Sequence, residues 1–331
     1  MAQKIVLIGP GSISKRYLEA AAGVDGMAVV GVVGRDAEKT AAYAASFGIA
    51  HHGTDLAEVV RKAGPTMALI CTPNSLHYQG VMAAARLGLH VLCEKPLHIL
   101  PARQEQMIQA CRKHGVKLGV AYCYRFLPQM QFLKKILDEG KLGKMLAMDV
   151  RLKIWREPDY YTASSWHGTS EIDGGGSFIQ QGTHLVDLAL WLGGGFKEVL
   201  EARRFTLIHP IRVEDHGYGL VRYGCGAVGL IEASTACRGL NLQELEITGT
   251  GGSVITTLEG IQAWKVEALS PPEPAVKEKT DKGSLFRAML ADFRDAVESG
   301  REPFVNGQSA RLAVELIHKL YRKSGKPSIL K

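Results

Sequence analysis

The stretch Ile5-Val6-Leu7-Ile8-Gly9-Pro10-Gly11-Ser12-Ile13-Ser14 decides the fold of the N-terminal half. Four apolar residues are typical of a buried strand, and Ser12 to Ala22 has the composition of a helix. Gly9 permits a tight turn between them, and Gly11 allows the backbone to approach a pyrophosphate at the helix N-terminus. Ser14 stands at the third position of this dinucleotide fingerprint, where glycine is usual. The stretch therefore predicts a dinucleotide-binding turn.

Short apolar strands and helical segments alternate from this turn to about residue 122. The predicted strands are Met27 to Val33, Met67 to Cys71, His90 to Cys93 and Val116 to Tyr122, and the predicted helices are Ala37 to Phe47, Asp55 to Lys62, His77 to Leu87 and Pro101 to Lys113. Such alternation is typical of a parallel, doubly wound sheet with helices on both faces. We therefore predict an α/β Rossmann domain at residues 1–121.

The second half has a different pattern. From Ala147 to Trp155 apolar and polar residues alternate strictly, which predicts an antiparallel strand with one buried face. Further predicted strands are Glu198 to Phe205, His216 to Tyr223, Ala227 to Thr235, Gln243 to Thr248, Ser253 to Thr257 and Ile261 to Val266, and the closing helices are Leu285 to Ser299 and Ser309 to Ser324. A proline-rich, exposed loop is predicted at 271–274. We expect an α+β domain at residues 122–331.

Composition limits the classes of function. The net charge of +7 is not concentrated in any dense Lys/Arg run, which favours a phosphorylated small molecule over nucleic acid as partner. The six cysteines form no CxxC pair and have no ligand-like spacing to histidine, so we expect no metal site. Neither a signal peptide nor an apolar segment of membrane-spanning length is recognisable, so we expect a cytoplasmic protein without membrane contact.

A carboxylate, an amine and a proline follow the fourth predicted strand, in His90-Val91-Leu92-Cys93-Glu94-Lys95-Pro96-Leu97. Parallel sheets bind ligands at the carboxyl ends of their strands, so Glu94 and Lys95 are predicted to lie where chemistry occurs. The alternative is a solvated Glu-Lys pair in a loop.

The preceding strand ends similarly, in Cys71-Thr72-Pro73-Asn74-Ser75-Leu76-His77. Thr72 and Asn74 are predicted neighbours of a ribose or a nicotinamide. Alternatively, Asn74 or Ser75 only caps the helix that follows.

The second strand ends Val32-Val33-Gly34-Arg35-Asp36, so glycine occupies the position where NAD-dependent chains usually carry an acid for the ribose hydroxyls. A guanidinium forks onto phosphate oxygens, and Arg35 therefore suits the 2′-phosphate of NADP. We predict NADP as the favoured cofactor over NAD. The alternative is that Arg35 stacks on the adenine or faces solvent.

These motifs, together with Tyr124-Arg125-Phe126 and the run from Asp173 to Asp187 (DGGGSFIQQGTHLVD), resemble the Gfo/Idh/MocA oxidoreductase family over nearly the whole chain. The resemblance implies a Rossmann domain followed by a domain with a large, mostly antiparallel open sheet, often used to form homodimers or homotetramers. The active site would lie between the domains, and the Lys95-Pro96 bond would be cis. The implied reaction transfers hydride between a nicotinamide and a hydroxyl-bearing carbon of a sugar, sugar derivative or nucleotide sugar.

The resemblance also assigns residues. Lys95 would bind the reacting hydroxyl and His184 would act as acid/base, with Gln180 predicted on the same helix face as His184. Gln180 replaces the family's Asp, and an amide cannot stabilise an imidazolium as a carboxylate does, so either Lys95 or His184 could carry the proton. Predicted cofactor-binding residues are Gly9, Gly11, Ser12, Ile13, Arg35, Thr72, Pro73, Asn74, His77, Glu94 and Lys95. Predicted substrate-binding residues are Lys95, Tyr124, Arg125, Trp166, His167, Gln180 and His184.

Several basic side chains in the second half favour a carbohydrate that bears phosphate, nucleotide diphosphate or carboxylate. These are Arg125, Arg151, Lys153, Arg156 and His167. Alternatively, Arg151 and Lys153 only solvate an open strand face or line a subunit interface. Two other functions fit the same fold: a hydrolase or lyase that retains its cofactor and oxidises transiently, and a regulator that binds NAD(P) without catalysis.

Overall fold

The computed structural model describes residues 3–163, 165–267, 269–270 and 281–329, and the proline-rich loop predicted at 271–274 lies outside them. The chain forms two compact units. The N-terminal unit comprises Met1–Cys123 and Asp281–Arg311, and the C-terminal unit comprises Tyr124–Thr280 and Leu312–Lys331.

The N-terminal unit contains a six-stranded parallel sheet. Its strands are β1 (Gln3–Ile8), β2 (Met27–Val33), β3 (His51–Gly53), β4 (Met67–Ile70), β5 (His90–Cys93) and β6 (Leu118–Val120), and its first helices are α1 (Ser12–Ala22), α2 (Ala37–Ser46), α3 (Leu56–Ala63), α4 (His77–Arg86) and α5 (Pro101–Lys113). The strand order is β3-β2-β1-β4-β5-β6, and every pairing is parallel. This order reverses between β1 and β4, which is where Rossmann folds bind dinucleotides. The predicted α/β class is confirmed.

A later helix joins this unit. Residues 281–311, which the sequence analysis assigned to the second domain, group with the N-terminal unit, and the first boundary lies at Cys123. Helix α9 (Lys282–Ser299) supplies the reason, because its apolar face covers β6 and α1. Phe286 meets the ring of Tyr17 edge-on at 4.8 Å, and Phe293 is fully buried, so close to Gly119 that a Cβ there would lie 2.8 Å from its ring.

The C-terminal unit contains an eight-stranded, mostly antiparallel sheet. Its strands are β7 (Met145–Trp155), β8 (Phe196–Thr206), β9 (His216–Tyr223), β10 (Val228–Ser234), β11 (Ala236–Gly249), β12 (Gly252–Thr257), β13 (Gly260–Val266) and β14 (Ser328–Ile329), and its helices are α6 (Pro128–Asp138), α7 (Asp159–Thr162), α8 (Thr183–Leu192) and most of α10 (Gly307–Ser324). The strand order is β13-β12-β11-β7-β10-β9-β8-β14, with only β7–β10 and β8–β14 parallel. The predicted α+β domain with a large open sheet is confirmed.

The predicted alternation in β7 is present. Met148, Val150, Leu152 and Ile154 are buried, and α8 packs on this side of the sheet. Because side chains alternate across a strand, the polar residues of β7 lie on the other face. The buried face thus orders α8 and the segment that leads into it.

Candidate active site

The turn between β1 and α1 leaves room for a phosphate. Gly9 has φ +95°, and a Cβ there would lie 2.8 Å from the backbone nitrogen of Thr72, so the turn requires glycine. A Cβ on Gly11 would have no atom within 4 Å, and Ser12, the first residue of α1, is exposed. Open space at a helix N-terminus fits a pyrophosphate. The residues present therefore fit a dinucleotide.

Ser14 explains the departure from the glycine fingerprint. Its side chain is fully buried, its Oγ accepts from the backbone N–H of Gly11 at 2.8 Å, and it shares a 2.7 Å hydrogen bond with the hydroxyl of Tyr43 on α2. A third glycine could form neither bond. Ser14 thus ties the phosphate turn to α2.

The end of β2 has no place for an acidic side chain at the usual ribose position. A Cβ on Gly34 would lie 2.2 Å from Oγ1 of Thr40. The next acid, Asp36, caps α2 by accepting from the backbone N–H of Lys39 at 3.0 Å, and this bond lowers the pKa of Asp36. Arg35, between them, is exposed.

His77 joins the two loops that follow β4 and β5. Its Nε2 lies 2.8 Å from the carbonyl oxygen of Thr72, and its Nδ1 lies 2.9 Å from that of Pro96. Burial lowers the pKa of His77, and these two carbonyls oppose that effect. The side chain is 0% exposed, so it has no accessible surface for a cofactor to touch. His77 therefore lies beneath the loops that were predicted to hold the cofactor and links one loop to the other.

Glu94 likewise points into the N-terminal unit. It is 9% exposed and accepts hydrogen bonds from the hydroxyl of Tyr17 at 2.7 Å and from the backbone N–H of Lys95 at 3.0 Å. Burial raises the pKa of Glu94, while the Lys95 charge and the Tyr17 bond oppose the rise. The peptide bond between Lys95 and Pro96 is cis, as the resemblance implied, and Lys95 is half-buried. Glu94 therefore holds the loop that presents Lys95.

In the C-terminal unit, a π-helical turn precedes α8. It spans Phe178–Gly182 and contains Gln180, while His184 lies in the first turn of α8. Such π-turns occur frequently at functional sites, and this one alters the α-helical spacing that the sequence predicted between the two residues. The ring of His184 lies 4.4 Å from that of Tyr124, centroid to centroid. Gln180 is 5% exposed and donates from Nε2 to Oδ2 of Asp173 at 2.6 Å.

Three of the cations predicted to attract an anionic substrate are neutralised by carboxylates. Arg125 is 2% exposed and forks onto Asp187 through bonds of 2.8 and 2.6 Å. Arg151 contacts Glu244 and Glu246 at 3.0 and 2.9 Å. Lys153 contacts Glu232 at 3.0 Å, again across neighbouring strands. Carboxylates thus balance the charges of Arg125, Arg151 and Lys153, and the predicted contact of these side chains with an anionic substrate stays a prediction.

The other two cationic candidates lie in an aromatic cluster. We define it as Arg156, Tyr160, Trp166, His167 and Gln181. His167 stacks on Tyr160 at 4.4 Å with an interplanar angle of 8°, and its centroid lies 4.1 Å from that of Trp166. The Arg156 guanidinium lies 5.1 Å from the Tyr160 centroid and donates to Oε1 of Gln181 at 2.8 Å. Among the ion pairs of the described residues, none involves Arg156.

Within the described part of the chain, no three His, Cys, Asp or Glu side chains group as metal ligands do. None of the helices described there has the length and apolarity needed to cross a membrane.

Comparison with known proteins identifies the family. The profile described as "Oxidoreductase family, NAD-binding Rossmann fold" matches residues 3–122, and the "GFO/IDH/MocA C-terminal domain" matches residues 130–255. The chain belongs to the Gfo/Idh/MocA oxidoreductase family. The predicted family, its NAD(P)-binding Rossmann domain and the oxidoreductase class are therefore confirmed.

Similar Gfo/Idh/MocA proteins include named dehydrogenases and a reductase. Levoglucosan dehydrogenase of Pseudarthrobacter phenanthrenivorans is 30% identical over 67% of this chain, and the match spans 63% of that protein. The 1,5-anhydro-D-fructose reductase of Ensifer adhaerens is 27% identical over 91% of this chain and 90% of its own length. The crystal structure of the WlbA dehydrogenase from Bordetella pertussis, in complex with NADH and UDP-GlcNAcA, has a TM-score of 0.90 at 27% identity and covers 97% of this chain and 95% of that chain.

Proposed function

We propose that the protein is an NAD(P)-dependent dehydrogenase that acts on a hydroxyl-bearing carbon of a sugar, sugar derivative or nucleotide sugar. One observation carries the proposal. The open turn at Gly9 and Gly11 backs directly onto Thr72, and His77 links the Thr72 carbonyl to the loop that carries Lys95. A dinucleotide site and a candidate catalytic cation are thus built from the same edge of one sheet.

Two residues of this chain perform the proposed chemistry. When bound, NAD(P) accepts or supplies hydride at its nicotinamide ring. The Lys95 ammonium binds the reacting hydroxyl and stabilises negative charge that develops on its oxygen. His184 exchanges the hydroxyl proton, since oxidation of an alcohol must release one as hydride leaves. Tyr124 packs against the His184 ring and restricts its orientation.

The favoured cofactor is NADP. Gly34 has no space for the acid that would bind the ribose hydroxyls of NAD, and Asp36 is engaged as the cap of α2. Arg35 is exposed at the end of β2, where a guanidinium can fork onto a 2′-phosphate. These three residues together support the preference.

The substrate carries an anionic group that Arg156 binds. Arg125, Arg151 and Lys153 are balanced by carboxylates, whereas Arg156 contacts the neutral Tyr160 and Gln181. The aromatic rings beside it offer faces on which a sugar can stack. Among the relatives, the Bordetella protein was crystallised with UDP-GlcNAcA.

The protein acts in the cytoplasm as a homodimer or homotetramer. Its six cysteines are free thiols, in agreement with a reducing compartment. On the polar face of the open sheet, Arg151 and Lys153 form ion pairs across neighbouring strands. Such a face is compatible with an interface to another copy of the chain.

A substrate panel tests the proposed function. Free sugars, polyols, sugar phosphates and nucleotide sugars are incubated with NAD+ or NADP+, and absorbance at the NAD(P)H band is followed together with product mass. We expect stoichiometric NAD(P)H and a product two hydrogens lighter than the substrate. Product without net NAD(P)H would indicate the hydrolase or lyase that retains its cofactor. Cofactor binding without any product would indicate a regulator.

A further inference from the structure

Asp173 determines which end of the Gln180 amide faces it. Nε2 of Gln180 lies 2.6 Å from Oδ2 of Asp173. The two atoms of a glutamine amide are otherwise hard to tell apart, but a carboxylate only accepts hydrogen bonds, so the NH2 group must face Asp173. The amide oxygen consequently lies on the other side of the group. On the side that faces away from Asp173, Gln180 can only accept hydrogen bonds.

Asp173 is itself held rigidly and buried. Its side chain is 0% exposed, and its Oδ2 also accepts from the backbone N–H of Gly168 at 2.9 Å. Its own N–H lies 3.4 Å from Oγ1 of Thr169, within the loop that precedes the glycines. Two N–H groups converge on one oxygen, and hydrogen bonds of this kind favour the ionised carboxylate. Burial raises the pKa of the nearby Tyr160 to about 12, and the negative charge of Asp173 adds to that rise.

We propose that Asp173 and Gln180 together replace the single acid that the family places at position 180. Gln180 presents the accepting oxygen, and Asp173 supplies the negative charge and fixes the amide in the accepting orientation. Asp173 is thus a positioning residue for Gln180, in the segment that leads into the helix of His184. The catalytic part of this inference rests on the proposed dehydrogenase function.

The test exchanges the amide and the acid. In Asp173→Asn the shape is kept, but the new amide can donate or accept, so Gln180 is no longer fixed. We expect kcat to fall by about tenfold or more, with KM for the cofactor nearly unchanged. In Gln180→Glu two carboxylates face each other, and turnover should fall as well. The double variant D173N/Q180E restores one donor and one acceptor, and it should recover most of the lost turnover.

Wild-type turnover in D173N, or a double variant no better than D173N, would overturn the proposal. Asp149→Asn is the matched control, because Oδ1 of Asp149 also accepts a backbone N–H, from Leu230 at 2.7 Å, but on the sheet. The Asp149→Asn variant should have the same turnover per folded molecule as the wild type. If D173N lowers only the thermal midpoint and retains turnover per folded molecule, Asp173 has a structural role alone and the proposal is wrong.

A second readout needs no substrate and separates this inference from the proposed function. The side-chain NH2 resonance of Gln180 in ¹⁵N-glutamine-labelled protein is assigned by its loss in Q180E. A charged acceptor should shift one of its protons downfield, and D173N should abolish that shift. An unchanged resonance in D173N refutes the pair, whatever the activity. A shifted resonance in a protein that oxidises no sugar supports the pair and refutes the dehydrogenase.

Discussion

Nδ1 of His77 lies 2.9 Å from the carbonyl oxygen of Pro96, while Nε2 of the same ring lies 2.8 Å from the carbonyl oxygen of Thr72. One buried imidazole thus joins the loops after β4 and β5. Because Thr72 backs onto Gly9 and Pro96 follows Lys95, the ring connects the phosphate turn with the candidate catalytic amine. Its effect on the site is positional, since the ring is fully buried.

His77→Ala should loosen both loops. A neutral imidazole donates through one ring nitrogen, so the substitution leaves one of the two carbonyls, that of Thr72 or that of Pro96, without its donor, and a buried group that loses its hydrogen bond costs about 1–3 kcal/mol. We expect a lower thermal midpoint and a weaker affinity for NAD(P)H, measured by calorimetry and by fluorescence titration. His114→Ala, at an exposed histidine after α5, should change neither. Equal cofactor affinity in H77A and wild type would show that His77 does not organise the cofactor loops.

Lys95→Met should abolish turnover while leaving the cofactor bound. Methionine keeps much of the length of the side chain but lacks the positive charge that stabilises the reacting oxygen. We expect kcat to fall by about 100-fold or more for this reason. The pyrophosphate turn at Gly9 and Gly11 is unaffected, so the dissociation constant of NAD(P)H should stay within about twofold of the wild-type value. Lys113→Met, at an exposed lysine in the last turn of α5, is the control. A loss of cofactor affinity as large as the loss of rate would contradict the role of Lys95.

Local patterns predicted most of the fold. The bounds of α1, β2, β5 and β9 agree with the sequence prediction. Runs of apolar residues and nearby glycines identify these elements from local sequence alone. Strand β3 was missed, since His51-His52-Gly53 is short and polar. The π-helical turn was also missed, because its hydrogen bonding has no signature in apolar spacing.

The carboxylate partners of the buried and strand-borne arginines could not be predicted from local sequence. Arg151 and Glu244 meet only because β7 and β11 pair in a particular register, and Arg125 meets Asp187 only through packing. From the sequence both arginines therefore resembled substrate ligands. Asp173 was visible in the glycine-rich run, but its bond to Gln180 depends on the turn between them. Of the aromatic cluster, the sequence predicted Arg156, Trp166 and His167 as substrate neighbours, but not their contacts with Tyr160 and Gln181.

A buried ion pair should make stability depend on pH. His209 is 4% exposed, with Nδ1 3.0 Å from Oδ2 of Asp215 and Nε2 2.8 Å from the carbonyl oxygen of Arg156. Burial alone lowers the pKa of His209, but Asp215, the Arg156 carbonyl and the charge of Glu157 together raise it above 6.5. The stability that this shift contributes is fully present below pH 6.5 and is lost as pH rises through the folded-state pKa.

His209→Gln should remove that dependence. We expect the thermal midpoint of the wild type to fall more between about pH 6.5 and 9 than that of the variant, because only the wild type loses a proton at this site. The comparison of the two proteins cancels the titration of His77 and His98, whose pKa values burial lowers. His114→Gln, at an exposed ring, is the control. Parallel pH curves for wild type and H209Q would contradict the raised pKa.

Arg156→Gln should weaken binding of anionic substrates alone. It removes the guanidinium charge from the aromatic cluster while keeping a polar side chain beside Tyr160 and Gln181. We expect KM for sugar phosphates or nucleotide sugars to rise by about tenfold, which corresponds to about 1.4 kcal/mol, with little change for neutral sugars. Arg151→Gln is the matched control, since Glu244 and Glu246 already balance that arginine. Equal effects of both substitutions would indicate a general effect of charge.

Arg35→Asp should reverse the cofactor preference. The substitution replaces a cation that can fork onto the 2′-phosphate with a carboxylate that repels the phosphate and accepts from a ribose hydroxyl. Because Gly34 lacks space for a side chain, position 35 is the first after β2 where such an acid can stand. We expect the ratio of kcat/KM for NADP+ to that for NAD+ to fall by about 100-fold, and Arg35→Ala should give an intermediate ratio. Lys39→Ala, at an exposed lysine of α2, controls for a general change of charge. A wild type that already prefers NAD+ by about tenfold, or about 1.4 kcal/mol, would refute the preference for NADP and leave Arg35 as a solvent-facing residue.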